Sequence, residues 1–445
     1  MTSIHPATTG TEAGRKTPAR AAVASLLGSA LEYYDYMLYA AAAALVFPHV
    51  FFPSVAPASA VLLSFATYGV SYVARPFGAF IFGTIGDKLG RKTLLQLTVL
   101  MMGVATLAIG LLPSYAQIGV AAPILLVALR IVQGLSTAAE APGGYALTIE
   151  HAPEDRRSFF SSWTMSGVQG GQALASLAFL PVAALPKESL YSWGWRIPFL
   201  LSVVVIIATI VIRRTLPETP EFADRKAKGT TASFPAKDVL KHQWRDVLRV
   251  LFCSFYASVS SLATVFGLSF ATSDAVGVSS AVMLWAVLIA NIIAVPAQPF
   301  WGRVADRIGR KPVFIGGAVA SAALLFAYFG VINSGSVPLI IVLAVLLLGV
   351  FYSAPNGVSP ALYGEMFNSK VRTIGMAVGM QLGLVLYGFA PAIGQSLKGS
   401  DAHNWLPIAV LGAVAAGLAA ISAATARETY RTPLAEVGRT WGKDA

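Results

Sequence analysis

Apolar residues run along this chain in long blocks that are separated by short polar connections. A helix needs about 20 mostly apolar residues to cross a lipid bilayer, and twelve blocks meet or approach that length. The pattern therefore predicts an all-α membrane protein with transmembrane helices at 21–46, 59–82, 93–112, 123–148, 159–181, 195–212, 248–271, 279–301, 313–332, 338–360, 373–396 and 405–424.

One polar segment, 213–247, is long enough to divide the twelve helices into two groups of six. Its alternating charges fit short helices that lie on the membrane surface, and they fit a plain solvated linker equally well. The apolar run after the first tail is too long for a signal-peptide core, so a retained first helix is predicted. The predicted parts are an N-terminal tail (1–20), a six-helix bundle (21–212), a linker (213–247), a second six-helix bundle (248–424) and a C-terminal tail (425–445).

Charged residues make up 12% of the chain, against about 25% in a typical soluble domain. Of the 32 Lys and Arg residues, 27 lie on one side of the predicted helices and three on the other, while Arg75 and Arg130 fall inside helices. Basic residues accumulate in cytoplasmic loops, so both termini are predicted to be cytoplasmic, in a bacterial inner membrane. The net charge of +11 is thus explained by topology and does not indicate a nucleic-acid partner. The single cysteine excludes an internal disulfide framework.

Two short motifs occur twice. The segment GTIGDKLGRK begins at residue 83, and GRVADRIGRK begins at residue 302, which is 219 positions later. The segments EHAPEDRR (150–157) and EMFNSKVR (365–372) both place a glutamate seven residues before an arginine, at an offset of 215. Repeats at nearly one offset predict two homologous halves, related by an axis along the membrane normal.

The repeated residues suit a gate between the halves. Glycine permits close helix contact and tight turns, and an acid at the membrane boundary suits the positive N-terminal end of a neighbouring helix. The glutamates and arginines of the second repeat add charge-assisted links, which the spacing allows within each repeat. The predicted cytoplasmic gate consists of Gly83, Asp87, Gly90, Arg91, Glu150, Arg157, Gly302, Asp306, Gly309, Arg310, Glu365 and Arg372.

These loops, together with LEYYDYMLY, ARPFGAFIFGTIGDKLGRK, RIVQGLSTAAEAPGG, GWRIPFLLS and LPETPEF, resemble the major facilitator superfamily. Within it, the chain resembles the metabolite:proton symporters, which carry shikimate, 2-oxoglutarate, citrate or proline/betaine. The resemblance implies two pseudo-symmetric six-helix bundles, and an acid in the repeated loops that contacts the other half in the outward-facing state. The chain departs from the family pattern at Tyr33, where the family usually has Trp, and around Glu140, which Ala138, Ala139, Ala141 and Pro142 flank.

Ionisable side chains inside the predicted helices are the candidate chemistry. Each charge near the bilayer centre costs at least about 2.5–3.5 kcal/mol, and Glu32 and Asp35 share one face of the first helix. Depths estimated from the helical rise suggest that Asp35 pairs with Arg130, and that Glu32 or Glu140 pairs with Arg75. Such pairs suit either a proton relay or static helix packing.

Eight further residues are candidates for lining the substrate path, because uncharged polar side chains in predicted helices can orient a substrate by hydrogen bonds. Each is as easily explained as a packing contact between helices. They are Tyr36, Tyr39, Gln133, Gln169, Tyr256, Asn291, Asn356 and Gln381.

The sequence contains no P-loop, metal-ligand cluster or nucleophile elbow, so an enzyme, a cofactor and a metal site are not predicted. The leading prediction is a monomeric proton symporter that imports a small organic acid or zwitterion through the lipid bilayer, with Arg130 attracting a carboxylate and Asp35 carrying the proton. A drug/proton antiporter, an osmosensing carrier and a non-transporting sensor are the alternatives. The C-terminal tail has no heptads, unlike that of an osmosensor. Sodium in place of the proton, export in place of import and an oligomer in place of the monomer are further alternatives.

Overall fold

The computed structural model describes residues 12–89, 91–138, 140–214, 239, 241–369, 371–399 and 401–438. Within these described ranges, twelve long helices occupy the predicted apolar blocks, and α1, α2 and α8 extend furthest beyond them, where their sequences turn polar. They are α1 (Glu12–Leu45), α2 (Pro57–Leu89), α3 (Arg91–Leu111), α4 (Ala121–His151), α5 (Arg157–Ala183), α6 (Arg196–Arg214), α7 (Trp244–Ala271), α8 (Ser280–Ile308), α9 (Arg310–Ser334), α10 (Val337–Gly364), α11 (Arg372–Lys398) and α12 (Leu406–Thr425).

Within the described residues, eight of these helices are long and apolar enough to cross a membrane: α2, α4 and α7 to α12. The helix α1 carries Glu32 and Asp35, and α5 is rich in Ser, Gly and Gln, which lowers their hydropathy. Both helices turn these polar positions into the protein interior, where Glu32, Asp35 and Gln169 are buried. A polar stripe that faced lipid would lack hydrogen-bond partners.

The helices form two six-helix bundles, α1–α6 and α7–α12, which meet along α5 with α8 and along α2 with α11. Within the first bundle, α5 packs closely on α1. A Cβ atom on Gly167 of α5 would lie 2.1 Å from the Leu26 carbonyl oxygen of α1, so only glycine permits this approach. We call the face on which α2 and α8 end, and on which α3 and α9 begin, the basic face.

The helix α4 is interrupted. Its two segments are Ala121–Ser136 and Glu140–His151, with Thr137 and Ala138 in a turn between them. Pro142 has no backbone N–H, so it cannot donate the helical hydrogen bond that the carbonyl of Ala138 would accept four residues earlier. The predicted span over 123–148 is therefore one membrane-crossing helix with a turn inside it, and a backbone carbonyl is left for another donor.

Candidate functional site

Arg75 of α2 lies beside Glu32 of α1, at 3.8 Å from Nη2 to Oε1, and both side chains are buried. Its guanidinium is held between the rings of Tyr36 and Tyr72, at 4.3 and 4.4 Å from their centroids. A cation between two aromatic faces is stabilised by their negative electrostatic potential. Of the two predicted partners for Arg75, Glu32 is therefore placed close to it.

Arg130 of α4 makes no direct ion pair with Asp35 among the described residues, so that predicted contact is wrong. Its guanidinium turns towards α2 instead, where Nη2 donates to the Tyr68 carbonyl at 3.0 Å and to the Ser71 hydroxyl at 2.6 Å. The Tyr39 ring covers it at 3.8 Å. The acceptors on α2 satisfy the arginine where the carboxylate was expected.

Two side chains nevertheless connect Arg130 with Asp35. Arg130 Nη1 donates to Gln133 Oε1 at 2.8 Å, Gln133 Nε2 donates to the Thr106 hydroxyl at 2.7 Å, and that hydroxyl donates to Asp35 Oδ2 at 2.9 Å. All four side chains are buried. Every donor in this chain of hydrogen bonds points towards the carboxylate, so the chain links Arg130 to Asp35 without a direct contact between them.

A cavity of about 50 Å³ lies between the two bundles. That volume holds only a few water molecules, so a larger molecule would fit only if the bundles moved apart. Gln169, Tyr256 and Asn356, three of the eight candidates for lining a substrate path, line this cavity, and Tyr256 donates to Asn356 Oδ1 at 2.7 Å. The remaining lining residues are Tyr33, Tyr72, Tyr145, Met165, Val168, Gln172, Ser254, Ala257, Ser260, Tyr352, Ser359, Tyr363, Met380, Leu384 and Tyr387.

Five of the predicted lining residues lie elsewhere: Tyr36, Tyr39, Gln133, Asn291 and Gln381. The tyrosine hydroxyls of the first two are hydrogen-bonded to threonines, at 2.8 and 2.6 Å. Asn291 is buried in α8 and its amide nitrogen has no hydrogen-bond partner within the described structure.

Gln381 of α11 donates from Nε2 to the Ala138 carbonyl at 2.8 Å. This is the carbonyl that Pro142 leaves without a helical donor. The hydrogen bond joins the two bundles, because α4 belongs to the first and α11 to the second. The residues that depart from the family pattern around Glu140 thus create a polar contact between the halves.

At the basic face, Asp306 of α8 accepts hydrogen bonds from the backbone N–H groups of Ser158 (3.0 Å) and Phe159 (2.9 Å). These groups open helix α5 of the other bundle, where the helix dipole favours an anion. A Cβ atom on Gly302 would lie 2.8 Å from the Ser158 carbonyl oxygen, so glycine is required for this approach. The acid of the second repeated loop therefore sits on a helix end of the other bundle, as the sequence predicts.

The two copies of the glutamate–arginine motif, 150–157 and 365–372, pair with each other across the bundles. No pair forms within a copy among these contacts, which corrects the pairing that the spacing allows. Arg157 Nε donates to Glu365 Oε1 at 2.7 Å, and Arg372 Nη1 donates to Glu150 Oε1 at 3.0 Å. Arg310 also donates to both oxygens of Glu365, at 3.1 Å each. The pseudo-twofold axis brings each glutamate to the partner motif's arginine. Next to this network, Gly309 has a φ of 110°, which suits glycine at the turn.

The C-terminal tail takes part in this network, which the sequence did not indicate. Glu428 accepts from the backbone N–H groups of Arg310 and Lys311, at 2.9 Å each, and so caps α9. The carbonyls of Thr429 and Thr432 accept from Arg157 Nη2 of the first bundle, at 3.0 and 2.9 Å. The Thr429 hydroxyl also donates to Glu365. The tail is therefore a strap that ties the two bundles together.

Part of the predicted gate cannot be placed. Gly83 and Asp87 lie in α2 and Arg91 begins α3, but their surroundings lie outside the described part of the structure, as does the whole of Gly90. The side chain of Glu140 also lies outside it. The described gate thus comes from the second repeated loop and from both copies of the glutamate–arginine motif.

Sequence reasoning missed four residues. The rings of Tyr68 and Tyr72 lie against the two arginines, Thr106 donates to Asp35, and Tyr387 lines the cavity. A signal was present for two of them, because Tyr68, Tyr72 and Arg75 are spaced by four and three residues and share one face of α2. Thr106 lies in the apolar second half of α3, and nothing in the sequence marks it. No group of His, Cys, Asp and Glu within the described residues is arranged to hold a metal ion.

Comparison with known proteins was made on the sequence and on the fold. The model of a family described as "Sugar (and other) transporter" matches residues 21–249, and that of the Major Facilitator Superfamily matches 250–442. The chain is 34% identical over 417 residues to the shikimate transporter of Escherichia coli (strain K12), covering 93% of this chain and 95% of that protein. It is 30% identical over 431 residues to the proline/betaine transporter of Salmonella typhimurium (strain LT2), covering 93% and 84%.

The fold resembles that of the proton:xylose symporter XylE bound to 6-bromo-6-deoxy-D-glucose. The TM-score is 0.72 at 16% sequence identity, covering 94% of this chain and 97% of that chain. At this identity the similarity concerns the fold alone.

Proposed function

Because this chain belongs to the major facilitator superfamily of membrane transporters, and within it to the metabolite:proton symporters, we propose that it imports a small organic acid or zwitterion together with protons. It is a multi-pass membrane transporter and not an enzyme. The names of its relatives, a shikimate transporter and a proline/betaine transporter, support a small charged or zwitterionic solute. The proposed sites are the buried charges near the central cavity and the gate at the basic face.

The observation that carries the proposal is the buried chain of hydrogen bonds from Arg130 through Gln133 and Thr106 to Asp35. The other carboxylate oxygen of Asp35, Oδ1, has no hydrogen-bond partner among the described residues, and a carboxylate so placed in the protein interior is poised to take up a proton. The Thr106 hydroxyl has one hydrogen, and a second acceptor for it, the Met102 carbonyl, lies at 3.0 Å. Protonated Asp35 would donate to the hydroxyl oxygen of Thr106, and the hydroxyl hydrogen of Thr106 would turn to the Met102 carbonyl.

The contacts between the bundles support alternating access. We place the basic face in the cytoplasm of a bacterial inner membrane, with both termini and the 213–247 linker on that side. The contacts of Asp306, Glu365 and Glu150 then hold the cytoplasmic ends together. Import requires these cytoplasmic ends to separate after solute and proton have bound from the periplasmic side. The proposed transporter acts as a monomer.

The test uses purified protein in liposomes with a trapped pH-sensitive dye. Pools of monocarboxylates, dicarboxylates and tricarboxylates, hydroxy acids, betaines and sugars are added outside. We expect one pool to acidify the interior, and Asp35→Asn to abolish the acidification while exchange of labelled solute persists. Asp246→Asn is the matched control, because Asp246 pairs with Arg249 at the partly exposed start of α7.

Three outcomes would contradict the proposal. Solute accumulation without acidification would replace the proton by another driving ion. Alkalinisation by an added drug-like cation would favour an antiporter. The absence of any flux would favour a sensor.

A further inference from the structure

We infer that Arg75, and not Arg130, binds the substrate through a carboxylate, in competition with the internal carboxylate of Glu32. This inference deepens the proposed function, since it takes the central cavity as the path of the solute. The predicted role of Arg130 as the carboxylate ligand is thereby reassigned to Arg75, which is also buried inside the first bundle.

The two arginines differ in which N–H groups are in use. Arg130 donates from Nη1 and Nη2 to three acceptors, which leaves only Nε. Arg75 has no hydrogen-bond acceptor on Nε or Nη2 among the described residues. Glu32 Oε1, at 3.8 Å from Nη2, lies beyond hydrogen-bonding distance. The Nε and Nη2 groups form one edge of a guanidinium, and that edge binds a carboxylate through two parallel hydrogen bonds.

Arg75 lies one aromatic ring away from the cavity. The Tyr72 ring covers its guanidinium at 4.4 Å and also lines the cavity. Tyr72 is held in place from the second bundle, by the Tyr387 ring at 5.2 Å and by the backbone of Gly388. A Cβ atom on Gly388 would lie 2.4 Å from the Tyr72 ring, so α11 presses directly on it. Movement of α11 away from α2 would release Tyr72 and open Arg75 to the cavity.

The remaining chemistry defines the ligand class. None of the residues that line the described cavity is charged, and the polar ones are tyrosine, serine, asparagine and glutamine. An anion in such a cavity requires a buried cation within reach, and one free guanidinium edge accommodates one carboxylate. The ligand is therefore a carboxylate whose other polar groups are neutral hydrogen-bonding groups such as hydroxyls.

The experiment measures binding to the purified protein in lipid nanodiscs by the shift of its unfolding temperature. The probes are acetate, lactate and shikimate, each beside its carboxamide, which matches it in shape but lacks the charge. We expect at least one carboxylate to stabilise the protein and its carboxamide to do so at least about 30-fold less tightly, because charge-assisted hydrogen bonds are lost.

The variants assign the effect to a residue. Glu32→Gln removes the competitor and should tighten carboxylate binding. The double variant Glu32→Gln with Arg75→Gln stays neutral in the interior, and it should weaken binding at least about 30-fold. Arg75→Lys should retain part of the affinity. Arg196→Gln is the control, since Arg196 donates to backbone carbonyls at the other end of the first bundle and should change nothing.

The inference is overturned if no carboxylate binds, if carboxamides bind equally well, or if the double variant binds like the wild type. Its failure is distinct from failure of the proposed function. Proton flux driven by a solute without a carboxylate would keep the symporter and refute the role of Arg75. Binding that depends on Arg75 without any proton flux would keep the role of Arg75 and refute the symporter.

Discussion

Glu365→Gln is the most informative perturbation of the basic face. The Glu365 carboxylate is buried and accepts from Arg157 of the first bundle and from Arg310 of its own bundle. Removing one partner of a buried ion pair costs about 3–5 kcal/mol. Only the Arg157 contact is lost when the bundles separate, because Arg310 moves together with Glu365.

The hydrogen bond from Arg157 to Glu365 is thus the contact of Glu365 that holds the basic face closed. As a charge-assisted hydrogen bond, it contributes about 1.5–3 kcal/mol. Its loss should raise the population with an open basic face about 10- to 150-fold. Glu150→Gln is the matched control, because it breaks the symmetry-related pair with Arg372, in which the glutamate side chain is 38% exposed. Screening by water limits that pair to about 0.2–1 kcal/mol. At about 1.4 kcal/mol for each factor of ten, its loss should raise the population with an open basic face by less than about sixfold.

The assay is the distance between spin labels at Glu154→Cys and Arg307→Cys, which are exposed on the two bundles at this face. The protein's one cysteine, Cys253, is buried and does not compete for the label. We expect one short distance in the wild type and an added longer distance in Glu365→Gln. An unchanged distribution in Glu365→Gln, or a larger effect of Glu150→Gln, would refute the reasoning from burial.

Two further predictions concern packing between helices. Gln381→Leu should open the bundles at the interrupted helix α4, because it removes the donor to the Ala138 carbonyl. Pro142→Ala should make Gln381 dispensable, because it restores the helical N–H for that carbonyl. Solute exchange rates of the single and double variants test this, and additive effects would contradict it. Gly167→Ala should lower the unfolding temperature, by an overpacking cost of about 1–3 kcal/mol, whereas Gly170→Ala should be tolerated because no atom lies within 4 Å of its Cβ position. Equal melting curves for the two alanine variants would rule out the close contact of α5 with α1.

The sequence alone determined the helices, their number and the two-bundle organisation. Apolar length sets which segments cross a bilayer, and that property depends on each segment by itself. The offset of 219 residues between the loop motifs exposed the repeat. Helical spacing also placed Glu32 and Asp35 on one face, because the 3.6-residue period fixes direction within a single helix.

The tertiary structure decided which side chains meet. Sequence spacing left Asp35 opposite Arg130, but the carbonyl of Tyr68 and the hydroxyl of Ser71 take the guanidinium, and Thr106 takes the carboxylate. Likewise, Glu365 meets Arg157, 208 positions away, and not the arginine of its own repeat. Depth and face are properties of one helix, whereas a partner depends on the rotation of two helices about their axes. Packing across the whole bundle sets that rotation, so only the folded chain reveals it.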